Sequence, residues 1–340
     1  MTQRSKEGLN AMLLLIQGFQ AARLIKLVAD LGLADRIDPG AVVLIADLAA
    51  QLNVDATRLL RLCRALAAFG VFTVHDTKCI GHSDASLFLR TDSKPSLHYM
   101  ARFWAMPSNW ATWGAVENGL RRGQTAAEMA LGISRMEYFN AHPDEAKIFN
   151  AAMAHRPEDS HSDVAAGYDF SDATLVVDVG GGNGALLERI LSRYDGPKGL
   201  TFDRDEVVQS ASEGMVGLLG RHRFQGGNFL AGVPAGGDVY LLSDVLGSLS
   251  DENCLTLLRN CRAAMVANGR ILVIERILSD DPSAGNPIDY LIDLHFMLIY
   301  PEASLRSVSE HQRLLSAARL RPTRVLPTAS SVSIIEARAT

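Results

Sequence analysis

The run Val177-Asp178-Val179-Gly180-Gly181-Gly182-Asn183-Gly184 leaves this chain the fewest folds to choose from. Leu175 to Val179 is a short, β-branched apolar stretch of the kind buried inside a sheet, and Ala185-Leu186-Leu187-Glu188-Arg189-Ile190-Leu191 carries apolar residues at helical spacing. Between them, glycines at 180, 182 and 184 let the backbone turn sharply and pass close to a ligand, beside the partial positive charge of a helix N-terminus. A strand, a glycine loop and a helix in that order place a nucleotide-like ligand at the open end of a doubly wound sheet.

The rest of the C-terminal half follows suit. Strands are expected at Gly199 to Asp203, Val239 to Ser243 and Arg270 to Glu275, then at Arg324 to Leu326 and Val332 to Glu336, with helical stretches between. The fold class is therefore α/β: a Rossmann-like domain with a mainly parallel sheet and a C-terminal antiparallel hairpin. Two ligands compete, because Gly180-x-Gly182-x-x-Ala185 also satisfies the dinucleotide fingerprint. Three features favour S-adenosylmethionine (SAM): the acidic Asp178 ahead of the glycines, the third glycine at 184, and a Gly226-Gly227-Asn228-Phe229 turn placed to hold an adenine. Asp203, closing the next strand, can accept both ribose hydroxyls of either ligand.

Ahead of this domain the pattern is helical. From Leu9 to Leu31 apolar residues recur at helical spacing with little polar relief, so a partner is needed to cover them, and a second copy of the chain would serve. Ile45 to Ala50, Asp55 to Phe69 and two β-like runs, Val71 to Val74 and Lys78 to Gly81, have the order of a winged helix. Arg58, Arg61 and Arg64 lie three apart on its second helix. They would form a recognition face in a DNA-binding protein, and otherwise a solvated face opposite Leu59, Leu62, Leu66 and Phe69. A net charge of −5 favours the solvated face and gives no global field for nucleic acid or an anionic membrane. All three tryptophans, Trp104, Trp110 and Trp113, fall in a helical connecting region. At 340 residues the chain exceeds one average domain. It divides into a winged-helix dimerisation part at 1–95, a connecting region at 96–168 and the ligand-binding domain at 169–340. The four cysteines have neither CxxC spacing nor a partnering histidine, which implies no metal and a reducing, cytoplasmic setting. The apolar run Ala11 to Ile16, followed by Arg23 and Lys26, is too short for an exported or spanning segment.

The stretches LVVDVGGGNGALLERIL, GLTFD, GGNFLAGVPAGGDVYLLSDVL, DENCLTLLRNCRAAM, NGRILVIERIL and the ending VSIIEA resemble the small-molecule O-methyltransferase family along almost the whole chain. The resemblance implies a class I SAM fold, S-adenosylhomocysteine as product, a homodimer through the N-terminal part and a role in secondary metabolism. It puts Gly180 and Gly182 along the SAM site and Asp203 on the ribose. Arg204 and Phe229 flank the adenine, Asn228 replaces the usual Asp, and Ser243 lies near the methionine end. For the substrate it implies the connecting helices and the helix Ile288 to Tyr300, with Met153, His155, Phe296, Met297 and Tyr300 as wall residues.

The chain departs from this family where the proton is taken. In the family a segment like KHVLHDW carries the base as its second histidine, and here Ser243-Asp244-Val245-Leu246-Gly247-Ser248-Leu249 puts Gly247 at that position. The glutamate of the family's GGxERT stretch is missing from Glu302-Ala303-Ser304-Leu305-Arg306-Ser307 as well. Three accounts are open. The acceptor needs no base, being a ring nitrogen or an ionised oxygen, as in family members that methylate phenazine carboxylates. Alternatively His155, His295, Asp244 or Asp293 substitutes as base, or SAM is bound and keeps its methyl group, as in related hydroxylases and pericyclases. Asp289 and Asp293, four apart, are either a working carboxylate pair or a helix-start preference. A winged-helix regulator sensing SAM is the non-enzymatic alternative.

Overall fold

A computed structural model describes residues 3–122, 125–155, 158–212 and 220–340. The chain forms two compact units, Met1–Pro157 and Glu158–Thr340.

In the first unit a long helix α1 (Gln3–Leu31) leads into β1 (Val42–Leu44), α2 (Ile45–Leu52), α3 (Ala56–Ala68), β2 (Phe72–His75) and β3 (Cys79–His82). The strands pair antiparallel in the order β1-β3-β2, the wing expected from the sequence, with β1 added. Asp55 caps α3 by accepting the Arg58 N–H at 2.8 Å. Leu59, Cys63 and Leu66 turn inward on α3 to join Leu33, Ile37, Leu48, Phe72 and Ile80, and Arg58, Arg61 and Arg64 are left exposed. Among the described residues, seven further short helices follow: α4 (Asp84–Leu87), α5 (His98–Trp104), α6 (Pro107–Gly114), α7 (Val116–Arg122), α8 (Ala126–Leu131), α9 (Arg135–Ala141) and α10 (Pro143–Ala154).

Helix α1 shows Leu13, Leu15, Ile16 and Phe19 to solvent. Over Ser5–Leu31 it is long and apolar enough, by length and composition, to cross a membrane. This corrects the expectation drawn from Ala11 to Ile16 alone. The apolar character does not stop at Gln17 but resumes over the following turns, and the two cations beyond it are engaged within the unit, Lys26 with Asp30 and Arg23 over the ring of Trp110.

The second unit opens with α11 (Ser160–Gly167) and is built on an eight-stranded sheet. Its elements alternate: β4 (Leu175–Val179), α12 (Ala185–Arg193), β5 (Lys198–Asp203), α13 (Asp205–Ser212), β6 (His222–Gly226), β7 (Val239–Ser243), α14 (Asp251–Ala264), β8 (Arg270–Leu278), α15 (Pro287–Ile299), β9 (Arg306–Ser307), α16 (Val308–Ala317), β10 (Leu320–Pro327) and β11 (Val332–Ala339). The sheet order is β10-β11-β8-β7-β4-β5-β6, with β9 beside β8. Strands β6, β5, β4, β7 and β8 are parallel, and β11 and β10 return antiparallel as a C-terminal hairpin. The fold is thus the class I methyltransferase type anticipated. Successive residues of β4 point to opposite layers: Val177 and Val179 join Leu257, Leu258 and Leu315, and Val176 joins Leu187, Ile190 and Leu191 of α12. The stretch 158–168, which the sequence assigned to the connecting region, packs through Val164, Ala165 and Tyr168 against this sheet.

Candidate functional site

The site is assembled at the carboxyl ends of β4, β5 and β7. Leaving β4, Gly180, Gly182 and Gly184 all take left-handed backbone angles, with φ of 74°, 58° and 78°, which only glycine adopts without strain. The Gly180 N–H donates to the Phe202 carbonyl at 2.7 Å and the Gly184 N–H to Gly181 at 2.9 Å. Space around the loop is unequal. A Cβ on Gly182 would meet nothing within 4 Å, whereas one on Gly181 would lie 2.5 Å from Asp178 Oδ2.

Asp203 ties this loop to the next strand. Its Oδ2 accepts the Gly182 N–H at 2.9 Å, its Oδ1 the Arg204 N–H at 2.7 Å, and its backbone carbonyl the Gly227 N–H at 2.9 Å. Each carboxylate oxygen keeps a lone pair, and the residue is half-buried, so two hydroxyls are within its capacity. The adjoining turn holds Asn228, whose Oδ1 accepts the Leu230 N–H at 2.9 Å. Phe229 packs against the sheet core, and its carbonyl accepts from Asn260 Nδ2 at 2.9 Å. The Arg204 guanidinium is exposed and 3.2 Å from Glu206.

Asp178 lies beneath the glycines, 1% exposed, with neither carboxylate oxygen hydrogen-bonded. Burial, and then the charge of Asp203, push its carboxyl up to about 7. A buried carboxyl with free lone pairs, a cradle that admits no side chain at 181 and a half-buried acceptor at Asp203 together fit a ligand that brings positive charge and ribose hydroxyls, as SAM does. The sign of the linkage follows. A carboxyl raised in the folded state is stable protonated, so stability present below about pH 4 is lost as pH climbs through about 7. Asp178→Asn is therefore expected to gain on wild type by about 2–4 kcal/mol between pH 4 and 8 without SAM. Urea unfolding at both ends of that range reads it, and a pH-independent difference between the two proteins would remove the assignment.

The turn after β7 is braced from several sides. Asp244 takes a left-handed φ of 54°, and its N–H donates to Ile274 at 3.0 Å. In the 3₁₀ turn Leu246–Ser248 the Gly247 N–H donates to Glu275 Oε1 at 2.9 Å, and the Gly247 carbonyl accepts the Ser304 N–H at 2.9 Å. Arg306 donates to the Leu246 carbonyl at 2.7 Å and the Leu249 carbonyl at 2.8 Å, and pairs with Asp251 at 2.8 Å. Behind the turn, Glu275 Oε2 lies 3.6 Å from His311 Nε2, both side chains buried, and His311 Nδ1 donates to the Ser307 carbonyl at 2.9 Å. Glu275 and His311 escaped the sequence reading. The available signal was a charge inside the apolar run Ile271 to Ile277, where burial is costly.

Asp293 and His155, two of the candidate substitute bases, are hydrogen-bonded within their own units. Asp289 is ion-paired with Arg276, and Asp293 accepts the Leu305 N–H at 2.8 Å while burial raises its carboxyl. The two do not form a carboxylate pair. His295 is 3% exposed. On the same helix Phe296 and Tyr300 are ring neighbours, 6.5 Å between centroids, and Met297 and Tyr300 are exposed. In the first unit Met153 packs with Phe103, Met106 and Phe139. His155 is exposed, with Nδ1 2.9 Å from the Ala151 carbonyl and its ring 4.8 Å from that of Tyr99. Among the described residues no group of three or more His, Cys, Asp or Glu could hold a metal ion.

Residues 113–321 match the O-methyltransferase domain family, and residues 13–91 the O-methyltransferase dimerisation domain. The phenazine O-methyltransferase of Lysobacter antibioticus is 34% identical over 99% of this chain and 99% of its own length. The phenazine-1-carboxylate N-methyltransferase of Pseudomonas aeruginosa is 33% identical over 83% of each. Among solved structures, CalO1, a methyltransferase in calicheamicin biosynthesis in its S-adenosylhomocysteine-bound form, superposes with a TM-score of 0.86 at 28% identity, covering 100% of both chains.

Proposed function

This chain belongs to the O-methyltransferase family as a SAM-dependent small-molecule methyltransferase of secondary metabolism, and on that premise we propose that it methylates a small planar heteroaromatic at a ring nitrogen, or at an oxygen already ionised, by positioning alone. The observation that carries this reading is Gly247, braced by its backbone at the family's base position and carrying no side chain there. A positioned base contributes about 10²–10⁴-fold, a factor a protonated acceptor would forfeit and a free lone pair does not need. Holding that lone pair in line supplies up to ~7–11 kcal/mol of proximity.

When bound, SAM supplies a methyl group on a positively charged sulfur. In this reading the residues of the chain do the rest. Asp203 orients the ribose, Gly180 and Gly182 let the backbone approach, and Asp178 offers negative charge from below. Ser243, Arg204, Asn228 and Phe229 complete the cofactor side. On the substrate side, Phe296, Met297 and Tyr300 of one helix and its cap supply π faces and a sulfur for a flat ring without demanding hydrogen bonds. The relatives are named for both oxygen and nitrogen acceptors on phenazines, which supports the ring class and leaves the atom to this argument. The exposed face of α1, inside the dimerisation match, supports a homodimer through the N-terminal part, in a cytoplasmic enzyme.

The test is incubation with methyl-labelled SAM and a panel of nitrogen heterocycles and phenols, followed by mass spectrometry. Label is expected on ring nitrogens and ionised oxygens. Label confined to hydroxyls protonated at the assay pH would overturn base-free transfer. Tight SAM binding with no label passed to any acceptor would point to an enzyme that keeps the methyl group.

A further inference from the structure

Glu275 is left unexplained by a site that works without a base. Its side chain is almost wholly buried, its Oε1 is spent on the Gly247 N–H, and its Oε2 has no hydrogen-bond partner. A Cβ on Gly247 would sit 3.4 Å from that Oε2 and 3.6 Å from Leu305 Cδ2, so at the family's base position the carboxylate adjoins the space a side chain would take. His311 Nε2 lies 3.6 Å from Oε2. Keeping such a group buried costs stability, and side chains held at that cost concentrate at functional positions.

We propose that Glu275 is a specificity-determining residue: its carboxylate, presented behind the side-chain-free Gly247, favours acceptors that become cationic on methylation over acceptors that begin as anions. The inference rests on the methyl-transfer reading above and decides between its two acceptor classes. With a ring nitrogen, the lone pair becomes the new N–C bond, the electrons of the breaking S–C bond stay on sulfur and no proton moves. Positive charge passes from sulfur to the acceptor, toward Glu275, and is stabilised as it arrives. An ionised oxygen brings negative charge toward the same carboxylate and is disfavoured before reaction begins.

The experiment compares kcat/KM for phenazine and for 4-nitro-1-naphthol, ionised by an alkaline buffer, in wild type and Glu275→Gln. The glutamine amide oxygen can keep the Gly247 bond, and SAM affinity and melting temperature report whether the variant is intact. The ratio of phenazine to naphtholate turnover is expected to fall about tenfold or more in the variant. An equal loss for both acceptors marks Glu275 as merely structural and overturns the proposal, and so does an unchanged ratio. Should the variant not fold, binding to the wild-type S-adenosylhomocysteine complex decides. N-methylphenazinium is expected to bind at least about tenfold more tightly than phenazine, and equal binding overturns the proposal. A wild type that methylates neither compound, and no other member of the panel, sinks the methyl-transfer reading and this inference with it. Methylation of protonated phenols alone sinks the base-free reading by a separate route.

Discussion

Asp203→Ala is expected to reduce SAM affinity by about 10²–10⁴-fold, below what calorimetry detects at ordinary concentrations. Each hydrogen bond to a charged acceptor is worth about 1.5–3 kcal/mol, and the two ribose hydroxyls would lose both. The alanine also frees the Gly182 and Arg204 N–H groups that Asp203 holds at 2.9 and 2.7 Å, so the glycine loop loses its tether to β5. Asp203→Asn separates the contributions, since an amide keeps one oxygen acceptor without the charge and should fall between wild type and alanine. Because Asp203 is only half-buried at the strand end, the fold should survive, and near-native melting of the variant checks this. Unchanged SAM affinity would place the ribose elsewhere.

The second large effect contrasts two glycines. Gly184→Ala is expected to destabilise the second unit by about 2–5 kcal/mol, of which ~1–2 comes from a left-handed alanine and about 1–3 from overpacking. At Gly184, φ is 78° and a Cβ would lie 2.7 Å from His222 Cε1. The imidazole has little room to retreat, being bonded to Thr201 Oγ1 at 2.9 Å and stacked on Phe224 with 4.6 Å between centroids. Gly182→Ala carries comparable backbone strain at φ 58° and meets nothing within 4 Å, so its cost should be only about 1–2 kcal/mol. In thermal melts this is a drop of roughly 5–15 °C for Gly184→Ala and a few degrees for Gly182→Ala. Equal shifts would mean that the contact with His222 does not constrain the loop.

The parts legible in the sequence are those where one local rule dominates. Strands β4 and β7 are short runs apolar but for Asp178 and the closing Ser243, and the sequence pattern sets the bounds of both to the residue. The loop at 180–184 announces itself because positive φ leaves glycine as the only unstrained choice. Strand β6, His222–Gly226, was missed as a strand for the opposite reason: it is the sheet edge, half of it is wet, and His-Arg-Phe-Gln-Gly carries no apolar alternation. The expectation of a short apolar run in α1 failed because it counted only the unbroken stretch up to Gln17, whereas a helix averages its apolar residues over Ser5–Leu31 and tolerates single polar positions. Glu275 and His311 lie on β8 and α16, and their meeting behind Gly247 depends on β9 pairing with β8 ahead of α16. No spacing rule reaches across such a crossover. The acidic pair at Asp289 and Asp293 shows the converse, a helical spacing with two unrelated partners.

The bracing of the turn at Leu246–Ser248 bears on how enzymes of this kind diversify. The backbone of Gly247 is held by Glu275 below, by Ser304 at its carbonyl and by Arg306 at its neighbours, and none of these bonds involves whatever side chain position 247 carries. The position is a socket: its frame is built by residues distant in the chain, and its content is free to change. A substitution at 247 therefore leaves those backbone bonds in place, and in the proposed reading it is this side chain, not the frame, that decides whether a proton can be taken from the acceptor.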